Sequence, residues 1–277
     1  MSPSLPGSAA RVTAALLALG ALAYSAWVLE AVVRTGLDPV RTYVSELAAT
    51  DQPFGGFFRA ADLTAGLLVL AAATTALWAT RRDTHDATGP GEARPEAGSA
   101  AGPGTAGSGS RMRRPSTGSA AGPGTAGSGA RRTRRLVLLG WVALAVFGAA
   151  TALDSRLPLS CSPTVDPECA AREAAGLVPA THTAHVVSSG LAMTAALAAM
   201  VVLTLAARRY GIPRLLGRTG SVLVVLELAA TAWTLAAVAA SETGGGNWAL
   251  GAGQRLQVLL VAVWLAVLAV SVARERT

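Results

Sequence analysis

The sequence predicts an all-α polytopic membrane protein: six transmembrane helices in a compact bundle, with a short surface helix in the first outer loop. Three observations predict it. Of 277 residues, 52% are apolar and only 14% are charged, about half the charged share of an ordinary soluble domain. The apolar residues gather into six runs of roughly 18 to 22, the length a helix needs to cross a hydrocarbon core. The charged residues lie almost wholly between those runs.

The first run is Val12 to Val33. Its Met1 to Arg11 leader and Ala-rich middle are features shared with signal peptides. The run is too long for a signal core, however, and Arg11 is the sole basic residue before it, so we read an uncleaved span. The others are Ala61 to Thr80, Leu136 to Leu153, Val186 to Ala207, Thr219 to Ala240 and Gln254 to Ala273. All are rich in Ala, Gly, Ser and Thr, small residues that let helix backbones approach closely where lipid supplies no hydrophobic drive.

All 23 basic side chains are Arg, and Ala and Gly are abundant, a composition expected of GC-rich coding as in actinobacteria. The net charge of +7 raises nucleic acid as a partner. The arginines sit beside spans, where they orient a membrane protein, and no basic face is interleaved with stacking aromatics; nucleic acid is therefore excluded. With both termini in the cytoplasm, 17 arginines fall inside and six outside: Arg34, Arg41, Arg59, Arg156, Arg172 and Arg255. The positive-inside rule selects that orientation, in a bacterial plasma membrane.

Three regions follow. Residues 1–80 hold the first two spans with an outer loop at 34–60, residues 81–135 form a cytoplasmic linker, and residues 136–277 hold four spans with an outer loop at 154–185. The linker carries one Gly-, Ser-, Ala- and Pro-rich dodecamer twice, at Gly98 to Gly109 and Gly118 to Gly129. Such a composition buries too little apolar surface to offset the entropy of ordering, so the segment is expected to be disordered. Arg131, Arg132, Arg134 and Arg135 abut the third span, a topology signal first and a contact for anionic lipid headgroups second.

In the first outer loop, Asp38 before Pro39 reads as a helix N-cap with Pro at the first helical position. Val44, Leu47 and Ala48 then recur at helical spacing, and Phe54, Phe57 and Phe58 suit an interface. The second outer loop holds both cysteines and two of the three histidines. Cys161 and Cys169, on an oxidising side, favour a disulfide, with two free thiols or a metal pair as alternatives. His182 and His185 are three apart and so share a helix face. With Asp154 or Asp62 they are candidate zinc ligands, although histidines at a span end are equally at home in hydrogen bonds.

Glu30, Asp62, Asp154, His182, His185 and Arg255 fall at similar depth near the outer leaflet, and Ser45 and Glu46 lie on the short helix. Ionisable groups there are costly unless paired or solvated, so their convergence marks either a site or a structural network. The network is the reading we favour; in it Arg59 pairs with Asp62, and Glu30 reaches water. Glu227 stands apart on the cytoplasmic half of the fifth span. Hydroxyls at Ser45, Ser188 and Ser189 are available, but no nucleophile elbow, metalloprotease helix motif or phosphate-binding glycine loop is present.

At Tyr43-Val-Ser-Glu-Leu47, Phe58-Arg-Ala-Ala-Asp62, Asp154 and the paired cysteines before His182 and His185, the chain resembles the bacterial predicted membrane family "domain of unknown function 998". The resemblance spans all six runs, with the 81–135 insert atypical, and implies a six-span bundle without assigning an activity. Alkaline ceramidases, membrane zinc hydrolases that also combine Ser, Asp and His, compare poorly: they need three histidines at the site, and His85 lies in the linker. The expectation is a non-enzymatic or uncharacterised six-span membrane protein without cofactor, with lipids as partners, binding a lipid or small molecule in an outward-facing polar pocket. A metal-dependent lipid hydrolase and an ion or small-molecule transporter are the alternatives.

Overall fold

The computed structural model describes residue 5 and residues 7–87, 124–210 and 214–274. Most of the expected linker, with the first dodecamer and the first half of the second, lies outside the described residues. What is described of it, at 81–87 and 124–135, is helical, continuing the helices on either side.

Among the described residues there are seven α-helices: α1 (Gly7–Tyr24), α2 (Gly55–Ala87), α3 (Gly124–Asp154), α4 (Pro167–Ala174), α5 (Ala180–Tyr210), α6 (Arg214–Glu242) and α7 (Leu250–Arg274). A 3-10 segment, Ala26–Ala31, extends α1, and a second, Val44–Ala48, sits in the following loop. Six helices are long and apolar enough to span a membrane: Gly7–Ala31, Gly55–Arg82, Arg131–Asp154, Ala180–Tyr210, Arg214–Glu242 and Leu250–Arg274. Each overshoots its apolar run at one or both ends, because helical hydrogen bonding continues past the last apolar residue until a cap or turn stops it.

The spans form a ring in the order α1, α2, α3, α5, α6, α7, closed by packing of α7 on α1. Neighbours in sequence are thus neighbours in space, as consecutive elements usually are. The apolar windows of α7 and α6 are 61% and 22% buried, so α7 is the enclosed member and α6 leaves most of its surface for lipid. Leu17, Leu144, Phe147, Met200, Trp264 and Leu265 fill the centre. Tyr24 meets Phe147 edge-to-face at 5.4 Å, and the Trp264 indole donates to Thr204 Oγ1 at 3.2 Å, so a buried N–H is satisfied within the membrane.

The closest crossing is between α2 and α3. A Cβ on Gly66 would lie 2.5 Å from Ala152 N, and one on Gly148 would lie 2.6 Å from Leu70 N. Only hydrogen fits where these two backbones meet, which is the packing that small residues permit in lipid. The crossing holds the C-terminal end of α3, with Asp154, against the N-terminal end of α2, with Asp62.

The first outer loop departs from the sequence expectation. Asp38 does cap a turn, Oδ1 accepting from Val40 N at 2.9 Å, but the turn stops there, and Tyr43 adopts an extended backbone before Val44. The segment that follows is 3-10, spans five residues, and buries Glu46, Leu47 and Ala48 instead of lying on the surface. Tertiary bonds hold it in place. Gln254 Oε1 accepts from Val44 N at 2.9 Å, and Arg59 Nη1 donates to Ala48 O at 2.7 Å and Ala49 O at 3.3 Å. Both ends of a helix too short to satisfy itself are therefore closed by side chains of α7 and α2. Phe58 packs beneath it, while Phe54 and Phe57 stay exposed.

Candidate functional site

The second outer loop folds over the same end of the bundle. Thr50 N donates to Leu159 O at 2.9 Å, the Thr50 hydroxyl to Ser160 O at 3.0 Å, and Gln52 Nε2 to Ser162 Oγ at 3.0 Å. Asp166 caps α4 by accepting from Glu168 N, with Pro167 at the first helical position, the arrangement that suits both residues. Cys161 and Cys169 are joined by a disulfide with Cα atoms 6.0 Å apart. Replacing both by Ala reopens a loop of sequence separation 8 and is expected to cost about 2–3 kcal/mol by chain entropy. A lowered Tm in detergent reads this out, and an unchanged Tm contradicts it.

Glu46 ties the two loops together. Its carboxylate accepts from Thr164 N at 2.9 Å and from Thr164 Oγ1 at 2.5 Å. Burial pushes its pKa up, opposed by the two Thr164 bonds. Burial also raises the neighbouring Tyr43 phenol to about 12, helped by the Glu242, Glu173 and Glu46 carboxylates. A raised carboxyl pKa means the folded state holds its proton more tightly than the unfolded chain. The associated stability is therefore full below the unfolded value of about 4.3 and is lost as pH rises through the folded value. Relative to Glu46→Gln, the wild-type protein is expected to lose stability on going upward from about pH 4. Thermal melts of both proteins across that range test the sign; a gap that widens in wild type's favour with rising pH contradicts it.

Beneath these loops lies a cavity of about 150 Å³. Its lining comes from Tyr24 and Trp27 of the first span, Val44, Ser45 and Leu47 of the 3-10 segment, Phe58, Arg59 and Asp62 of α2, Thr151 and Asp154 of α3, His185 and Ser189 of α5, and Gln254 and Gln257 of α7. Apolar and aromatic side chains thus share the cavity with a polar network centred on Asp154. Both Ser188 and Ser189 donate to that carboxylate, Ser189 at 2.9 Å. His185 Nδ1 is 3.2 Å from Asp154 Oδ1, and its Nε2 is 3.3 Å from Ser189 Oγ. The Ser189 proton is thus spent on Asp154, which does not poise that hydroxyl as an activated nucleophile.

The sequence-selected residues divide three ways. Ser45, Asp62, Asp154 and His185 meet at the cavity. Glu46 and His182 belong to the covering loops: His182 Nδ1 is 3.2 Å from Ser160 N and 3.0 Å from Ser160 Oγ, and its Nε2 is 3.5 Å from Glu173 Oε1. Glu30 forms a two-pronged ion pair with Arg255, Nε to Oε1 at 2.5 Å and Nη2 to Oε2 at 2.7 Å, rather than reaching water. Each side chain of the pair is 8% exposed, and Arg255 Nη1 also donates to Thr42 O at 2.7 Å.

Three expectations are corrected here. Arg59 does not pair with Asp62, because its guanidinium is drawn to the open carbonyls ending the 3-10 segment. The set His182, His185 and Asp154 does not assemble as metal ligands. The two imidazoles share a helix face but have different partners, and no group of three His, Cys, Asp or Glu converges among the described residues. Glu227 does not stand apart: it is 1% exposed and adjoins Gln257 of the cavity wall. The sequence reading missed Tyr24, Trp27, Thr151, Gln254 and Gln257. The two glutamines carried a signal, being uncharged polar residues flanking Arg255 at the start of an otherwise apolar span.

A six-span bundle with polar groups collected at one mouth defines an integral membrane protein. The family model described as "Protein of unknown function (DUF998)" matches residues 12–94 and 117–271, most of the chain, and the protein belongs to that family. No curated protein and no solved structure matches the chain.

Proposed function

We propose that this protein binds the polar head group of an amphiphile, or an equally small polar molecule, in the cavity between its outer loops and its spans. The observation that carries the reading is a cavity lined both by apolar and aromatic side chains and by polar ones. The lining also holds Thr151, 6% exposed, whose hydroxyl has no hydrogen-bond partner among the described residues. A buried hydroxyl left unpaired costs about 1–3 kcal/mol, which a bound polar group recovers. A volume of about 150 Å³ is below the roughly 300–1,000 Å³ of pockets that enclose drug-sized ligands. The cavity therefore takes a head group with a short stem and leaves a longer chain outside. Native mass spectrometry of the purified protein is expected to retain a small amphiphile that is lost on Ala61→Phe, which fills the cavity from α2. Equal retention by both proteins counts against the reading.

The cavity faces the outside of a bacterial plasma membrane in this reading, with both termini and the 81–135 segment in the cytoplasm. The arginine asymmetry supports it. A reporter fused after Gly109 then reads cytoplasm and one after Asp166 reads outside; the reverse pattern overturns the orientation.

Transport is a second reading, favoured by one observation. Glu227 Oε2 is buried without a hydrogen-bond partner, one side chain behind the cavity beside Gln257, and lone ionisable groups inside spans mark ion pathways. Ion flux in proteoliposomes that is abolished by Glu227→Gln supports this reading; no flux above protein-free liposomes removes it.

A further inference from the structure

The charge of the head group follows from what the cavity-lining side chains have already committed. Asp154 is engaged by Ser188, Ser189 and His185. Asp62 lines the same cavity and, among the described residues, receives no hydrogen bond or ion pair. Neither nearby cation pairs with Asp62. Arg59 keeps its charge but donates to the Ala48 and Ala49 carbonyls, and Arg255 is neutralised by Glu30 and also donates to Thr42 and Gly251. A carboxylate inside a span with no partner is costly, and such groups are found paired or facing a polar cavity. Independently, the cavity lining holds the Thr151 hydroxyl, buried and without a partner among the described residues, an oxygen that can accept a hydrogen bond from an occupant.

Resting on the head-group reading above, we infer that the occupant is an amine: an ammonium group paired with Asp62 and carrying an apolar stem against Trp27, Leu47 and Phe58. An ammonium supplies donors to Asp62 and to the Thr151 hydroxyl. Aromatic rings in the lining, Tyr24, Trp27 and Phe58, suit a cation, for which a ring is worth about 0.5–2 kcal/mol. An anionic head group meets the Asp62 and Asp154 carboxylates in a site of low dielectric and is repelled, since the one unneutralised cation of the lining, Arg59, is committed to the 3-10 carbonyls. A neutral one leaves the Asp62 charge uncompensated.

Hexylamine, hexanol and hexanoate share a stem and differ in head group. Calorimetric titration of each into the full-length protein in nanodiscs, with protein-free nanodiscs subtracted, tests the inference. Hexylamine is expected to bind at least about tenfold more tightly than the other two, a difference of about 1.4 kcal/mol. Asp62→Asn is expected to erase that preference and Asp62→Glu to keep it. Equal binding of the three, or a preference for hexanoate, overturns the amine and leaves the head-group reading standing. Binding of none overturns both. The comparison on the wild-type protein decides the matter even if an Asp62 variant does not fold.

Discussion

Arg255→Met is expected to be the most damaging single substitution in the outer half of the bundle, costing about 3–5 kcal/mol, because it strips the partner from a buried carboxylate. Glu30 and Arg255 are 8% exposed and bonded through two prongs, and Arg255 also closes the Thr42 carbonyl of the first outer loop. The double variant Glu30→Gln, Arg255→Met leaves no orphaned charge and is expected to recover much of the loss, since a buried ion pair adds little over apolar packing of similar volume. Unfolding in detergent, measured for both single variants and the double, gives the coupling. Additive losses contradict the pairing.

The second large effect is expected at Asp154. Asp154→Ala removes the acceptor for Ser188 and Ser189 and the neighbour of His185 at one stroke. Each polar group left unpaired costs about 1–3 kcal/mol, so a total of several kcal/mol is expected, tempered by whatever water the cavity admits. Asp154→Asn keeps one carbonyl acceptor and is expected to lose less. Equal losses for Ala and Asn contradict the role of Asp154 as an acceptor hub.

The spans were legible in the sequence because the requirement they meet is local. Once enough apolar residues stand in a row, backbone bonding makes them helical, and small residues such as Gly66 and Gly148 bring the helices together. Membership of one outer polar cluster was legible from depth alone. The pairing within it was not, because pairing is a tertiary fact. Glu30 meets Arg255 across 225 positions, a juxtaposition created only when α7 closes the ring on α1. Arg59 and Asp62, three apart on one helix, offered a local pairing that lost to two unsatisfied carbonyls. His182 and His185 show the limit of a shared helix face: the loop above takes one and the α3 terminus takes the other. The 3-10 segment escaped for a similar reason. Its apolar spacing is helical, but its length is set by Gln254 and Arg59 at its two ends, residues of other helices.

In the proposed function the cavity opens outward and receives its ligand from that side. Ser45 lines it and is half-buried, and the protein has no free cysteine among its described residues, so Ser45→Cys supplies a single thiol in the lining. A membrane-impermeant maleimide is expected to label this thiol in intact cells, and hexylamine to slow the labelling. Labelling that appears only after the cells are permeabilised contradicts the outward cavity.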